Sequence, residues 1–174
     1  MNQPRWRLRV WTRFRASPEE VWAIKTDPDA LAAEFRPFGY FSLSETERSM
    51  MRAAFSEASS CALRLRIPPF GLEWPMNIDV VENHRIYRDR SSNRIFKEWS
   101  HYHRIEPSSD GALYVDEVVF VSALPGDRWL AKLTKSLFVH RHKMAARSLP
   151  TEFGTVGVAM LRLDEHGPQE VVHG

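Results

Sequence analysis

The chain has 174 residues, 43% of them hydrophobic, and a formal net charge of +2. That length is one domain's worth, ample for a packed core, and the composition excludes low-complexity and collagen-like chains. So small a charge makes no case for nucleic acid, which needs a concentrated basic face, and the single cysteine, Cys61, excludes an internal disulfide.

The first eleven residues carry arginines and lack the apolar core of a signal peptide. No run approaches the roughly 18 apolar residues of a membrane span. The expectation is a cytoplasmic protein with no integral membrane segment. Trp6, Leu8, Val10, Thr12 and Phe14 alternate with Arg5, Arg7, Arg9, Arg13 and Arg15, Trp11 being the exception on the charged side. Period-2 alternation predicts a half-buried strand. Its arginines read as a solvated face that discourages edge-to-edge pairing, in preference to an anion-binding patch.

Ser17-Pro18-Glu19-Glu20 is a capping box, with serine at N-cap, proline at N1 and glutamate at N3. A short helix follows, turning Val21, Trp22 and either Ile24 or Lys25 inward. Asp27-Pro28-Asp29 repeats the start signal and opens a second short helix carrying Leu31 and Phe35. Residues 36–123 read as strands and turns, with a helix near 46–55. The strands are Cys61–Ile67, Trp74–Glu82, His84–Arg90, Arg94–Glu106 and Ala112–Ala123. Leu63, Leu65 and Ile67 alternate with Arg64 and Arg66, and Asn83, Ser91-Ser92-Asn93 and Pro107–Gly111 supply turns. Such short connections predict antiparallel hairpins.

Residues 128–149 predict a helix of about six turns. Leu130, Leu133, Leu137, Met144 and Leu149 mark its apolar side, with Trp129 and Phe138 flanking. The basic half, His140 through Arg147, suits the negative end of the helix dipole, and Pro150 stops the helix. In the tail, 151–174, Thr155–Leu163 could add one strand.

This element order resembles the START-like (SRPBCC) superfamily over roughly residues 6–149. The stretch Arg13-Phe14-Arg15-Ala16-Ser17-Pro18-Glu19-Glu20-Val21-Trp22 is similar to that family's first strand and capped helix. Trp99–Pro107, Asp116–Phe120 and Phe138–His142 are similar to bacterial members of the ligand-binding or polyketide cyclase-like kind. The irregular segment 36–60 and the tail past Pro150 depart from the pattern. The resemblance implies a START-like domain over 1–150 with an α+β helix-grip fold. In it, about six to seven antiparallel strands curve around the long C-terminal helix and enclose a cavity for an apolar or amphipathic molecule. Fold does not by itself give function. A curved sheet gripping one helix leaves a pocket on physical grounds too, and six tryptophans and ten phenylalanines are available for its walls.

His101 and His103 share one strand face. They read first as hydrogen-bonded sheet residues and second as a polar pair able to orient or deprotonate a ligand. Pairing across the Pro107–Gly111 turn sets His101 opposite Glu117 and His103 near Val115, and a bulge would bring Asp116 onto that face instead. The catalytic candidates are therefore His101, His103, Glu117 and Asp116, with the choice between the two acids open. The ligand-binding candidates are Trp74, Met76, Ile78, Trp99, His101, His103, Leu133 and Leu137. No metal or cofactor is expected. His-x-His supplies two of the three or four ligands zinc takes, His140 and His142 stand about 200° apart on a helix, and His84 is isolated. Cys61 alternates with apolar neighbours and reads as a buried residue. No glycine loop suits a nucleotide.

The leading expectation is a carrier or sensor that binds a hydrophobic or aromatic small molecule, as a monomer or homodimer and without nucleic acid. The first alternative is a polyketide cyclase- or dehydratase-like enzyme using a cavity histidine and a carboxylate. The second is a protein-interaction module built on Thr155–Leu163. Whether any reaction is catalysed stays open, since the residues form no decisive catalytic set.

Overall fold

Ten residues, Arg5–Phe14, form β1, and Trp6, Leu8, Val10, Thr12 and Phe14 are its buried positions, as the alternation predicts. They belong to a computed structural model that describes residues 4–36, 38–39, 43–67, 72–149, 156–164 and 167–170. The alternation expected of Arg64–Ile67 and the stop at Pro150 fall outside the described side chains and residues. At Ser17 the hydroxyl accepts from the Glu20 N–H at 3.2 Å and the Glu20 carboxylate accepts from the Ser17 N–H at 2.8 Å. This reciprocal cap starts α1, Pro18–Lys25, whose inner side is Val21, Trp22 and Lys25. Asp27 caps α2, Pro28–Glu34, and Ser44 caps α3, Glu45–Ser56.

The strands that follow are β2, Cys61–Ile67; β3, Leu72–Glu82; β4, Ile86–Ser91; β5, Phe96–Ser108; and β6, Gly111–Ser122. Then come α4, Asp127–Ser148, β7, Gly157–Asp164, and β8, Gly167–Glu170. Among the described residues eight strands make one antiparallel sheet in the order β2-β3-β4-β5-β6-β1-β7-β8. With α4 packed on β1 and β6, this is the expected helix-grip fold, with β8 as an additional edge strand. β1 lies inside the sheet, so its arginines do not guard an edge. The segment expected at Thr155–Leu163 pairs with β1 of its own chain as β7, though Thr155 lies outside the described residues. Trp11, the odd residue on the arginine face, lies over Gly157, where a Cβ would come within 2.0 Å of the indole.

The β5–β6 hairpin turns through Ser109 and Asp110 alone, with Ser108 opposite Gly111. Gly111 has φ +146°, and a Cβ there would lie 2.1 Å from the Phe14 carbonyl, so glycine permits this tight turn. The turn is shorter than expected, which corrects the register by one residue. His101 faces Val118, Tyr102 faces Glu117 and His103 faces Asp116. Turn length is the cause; in this pair the irregularity lies away from the histidines, between Phe96 and Glu98.

The buried face of α4 is Leu130, Ala131, Thr134, Phe138, Arg141, His142 and Ala145. This corrects the expected apolar side. Leu133 is 39% exposed, and Leu137 and Met144 are only partly buried. It also corrects the reading of the basic half, since Arg141 and His142 point inward. Two apolar clusters flank this interior. One gathers Phe14, Val21, Trp22, Met51, Phe55 and Ile105, and the other Leu8, Val10, Phe96, Val118, Phe120 and Phe138. Burying each such side chain contributes about 1.5–3 kcal/mol.

Candidate functional site

Between these clusters lies a sealed polar floor. Alternation along β5 turns His101 and His103 inward, β6 adds Tyr114 and Asp116, and β4 adds Tyr87 and Asp89. Each is at most 5% exposed. Asp116 is the hub. Its Oδ1 lies 2.9 Å from His101 Nε2 and 3.0 Å from His103 Nδ1, and accepts from the Tyr114 hydroxyl at 2.5 Å. Its Oδ2 lies 3.1 Å from His142 Nε2, and His142 Nδ1 is hydrogen-bonded to the Thr12 hydroxyl at 2.8 Å. On the far side of the histidine pair, Asp89 Oδ2 lies 3.0 Å from His101 Nδ1 and 3.4 Å from His103 Nε2. Asp89 Oδ1 accepts from the Trp99 indole N–H at 3.0 Å. Tyr87 stacks on His103 with ring centres 3.7 Å apart.

A second buried group abuts the floor. Lys25 donates to Glu34 at 2.6 Å and Arg141 to the other Glu34 oxygen at 3.2 Å. The Lys25 ammonium stands 4.6 Å from the Tyr114 ring centre, and the Arg141 guanidinium 5.0 Å from that of Phe138.

Burial opposes ionisation of the floor's histidines, carboxyls and Tyr114, and neighbours decide the result. It pushes Asp89 and Asp116 up, yet His101 and His103 beside them hold both carboxyls below the usual range, Asp116 far below. It pulls His101 down, but Asp89 and Asp116 on either side carry it above its ordinary value. His103 stays below its ordinary value through burial and the charge of His101. Burial also lowers His142, despite its bond to Asp116. The Tyr114 hydroxyl is held well up by burial and by Asp116. The two carboxylates thus favour the charged form of His101, while burial favours the neutral forms of His103, His142 and Tyr114.

A cavity of about 60 Å³ opens onto Asp89, His101, His103 and Arg141, with Met76, Ile78 and Phe138 among its apolar walls. That is room for a few waters or the tip of a ligand, because Trp99, Tyr87 and Phe138 fill the interior. Past Trp74, Trp99, Phe35 and Leu137, which border both spaces, lies an open groove of about 550 Å³. Its walls include Phe38, Phe96, Leu124, Trp129 and Leu133.

Residues 12–149 match the family described as Domain of unknown function (DUF8410). The chain belongs to that family. No curated protein matches this DUF8410 member. Solved structures share its fold. A Rhodobacter sphaeroides protein has a TM-score of 0.60 at 16% identity, covering 82% of this chain and 90% of its own. The Zhui aromatase/cyclase from Streptomyces has a TM-score of 0.59 at 16% identity, covering 82% and 94%. A Chromobacterium violaceum protein has a TM-score of 0.54 at 18% identity, covering 84% and 99%. At such identities the likeness is one of fold, the helix grip. No helix among the described residues of this DUF8410 chain is long and apolar enough to cross a membrane.

Three of the sequence-derived residues, Trp74, Trp99 and Leu137, border both spaces. Trp74, Met76, Ile78, Trp99, His101, His103 and Leu137 line the inner cavity, and Leu133 lines the groove. Of the two acids, Asp116 joins the histidines, while Glu117 pairs with Tyr102 on the other face of the sheet. Sequence reasoning missed Asp89, Tyr114, His142, Thr12 and the Lys25–Glu34–Arg141 group. A signal existed for two of them. Tyr87 and Asp89 alternate with Arg88 and Arg90, so a polar inward position was visible, and His142 follows Phe138 by one helical turn.

Proposed function

We propose that the protein binds a hydrophobic or aromatic small molecule, its body in the groove beside α4 and its polar end towards the floor. The groove carries this reading. Five large hydrophobic side chains are exposed among the described residues, and four of them, Phe38, Leu124, Trp129 and Leu133, line that one surface. A monomer seldom leaves such side chains clustered unless something covers them. The few convergent polar groups at the inner end, His101, His103, Asp89 and Arg141, suit a ligand with one polar terminus.

A second reading is an enzyme of the cyclase kind. It is favoured by the opening of His101 and His103 onto the same cavity and by a fold shared with an aromatase/cyclase. Native mass spectrometry on the chain purified from its own host tests the pair. A stoichiometric apolar compound, released on denaturation and unchanged after incubation with fresh protein, supports the carrier. Its conversion to a product supports the enzyme. An empty chain that also fails to bind 8-anilino-1-naphthalenesulfonate saturably would sink both.

A further inference from the structure

The four ring nitrogens of His101 and His103 all face carboxylate oxygens. Two of them approach Asp116 Oδ1 at 2.9 and 3.0 Å, and the other two approach Asp89 Oδ2 at 3.0 and 3.4 Å. Two neutral rings supply two N–H groups for four such contacts, and one neutral ring with one imidazolium supplies three. The Tyr114 hydroxyl also lies 2.7 Å from His103 Nδ1, but its proton goes to Asp116 Oδ1, so a set with fewer than four ring protons turns at least one nitrogen lone pair towards a carboxylate. A set with four puts two imidazolium rings 3.7 Å apart.

We propose that Asp89, His101 and His103 bind one divalent first-row metal ion of the zinc type through Oδ2, Nδ1 and Nε2. A cation on the Asp89 side removes the conflict, because each ring then keeps a single N–H, directed at Asp116. The spacing fits. One ligand atom from each of the three residues lies within 4.8 Å of the others, with Asp89 Oδ2 3.0 Å from His101 Nδ1 and 3.4 Å from His103 Nε2, and tetrahedral bonds of about 2.0–2.2 Å hold ligand atoms roughly 3.3–3.5 Å apart. The supporting contacts are those a metal site uses. A carboxylate orients both imidazoles from behind, and the Trp99 N–H occupies Asp89 Oδ1, which leaves Oδ2 as a single donor. Three protein ligands leave a fourth position, and the cavity borders all three residues, so that position is open to a water or to an oxygen of a bound molecule. The sequence showed only two ligands because the third comes from the neighbouring strand. The site stands whatever fills the groove.

Cobalt titration of the chelator-treated, full chain tests this. Visible bands of a four-coordinate cobalt site should saturate at one equivalent and vanish when zinc is added. Asp89→Asn, checked for folding by circular dichroism, should abolish them. Asp116→Asn should keep the bands while weakening affinity by about 10–100-fold. His84→Gln with His140→Gln should change neither bands nor stoichiometry. Absence of saturable bands in the unmodified chain would overturn the site, as would bands that persist in Asp89→Asn or disappear with His84 and His140.

Discussion

The groove along the Leu133 flank of α4 is lined by carbon and open to water, whereas the floor around Asp116 is polar and sealed from it. A fold selected for stability alone would do the reverse at both places. Exposed apolar surface forfeits about 25 cal/mol per Å², and buried ion pairs are often no better than apolar side chains of the same volume. The two regions meet at Trp74, Trp99, Phe35 and Leu137. The two departures are therefore adjacent, sharing these four side chains as walls, and the stability comes from the two apolar clusters on either side.

Removing the hub of the floor should have the largest effect. Asp116→Ala leaves His101 and His103 facing Asp89 without their second partner, and should lower unfolding free energy by about 3–5 kcal/mol in urea titrations. If the loss were under about 1 kcal/mol, the floor would not be a coupled network. Trp99→Phe keeps the ring but strips the N–H from Asp89 Oδ1. The same titration should register about 1–3 kcal/mol. In the groove the expectation inverts. Leu133→Asp should weaken 8-anilino-1-naphthalenesulfonate binding at least tenfold, about 1.4 kcal/mol, while stability moves by no more than about 0.5 kcal/mol. Equal losses in binding and stability would mean that the groove is a structural seam.

The smallest effect belongs to a carboxylate outside the interior. Asp79 accepts from Arg88 at 2.7 and 2.9 Å and pairs with Arg90. Its partial burial raises the carboxyl, but the two arginines outweigh that and hold it below the usual range. Its contribution is therefore present above about pH 4 and lost as pH falls further. Asp79→Asn should cost up to about 1 kcal/mol at pH 7 and less at about pH 3. Thermal melts at the two pH values compare it with Asp116→Ala.

Where burial follows hydrophobicity, the sequence was readable. The β1 alternation, the Ser17 cap and the strand at Cys61–Ile67 stand where the residue pattern sets them. It misled on α4, because leucine periodicity marks the groove flank while Thr134, Arg141 and His142 take the buried side. The hairpin register failed by one residue, since a turn through Ser109 and Asp110 looks in sequence much like a longer one. Asp89 and Tyr114 were hidden for a different reason. They matter through neighbours on other strands, and a linear pattern carries no cross-strand distances.

β1 sits between β6 and β7, and its partners in β6 come about a hundred residues later in the chain. On the ribosome this strand is made long before anything can pair with it. The hairpins from β2 to β6 can close locally as they emerge, but the sheet cannot be joined across β1 until β6 is out. During that interval Trp6, Leu8, Val10 and Phe14 have no partner strand. The arginines between them keep the nascent segment charged, which lowers its tendency to aggregate while it waits.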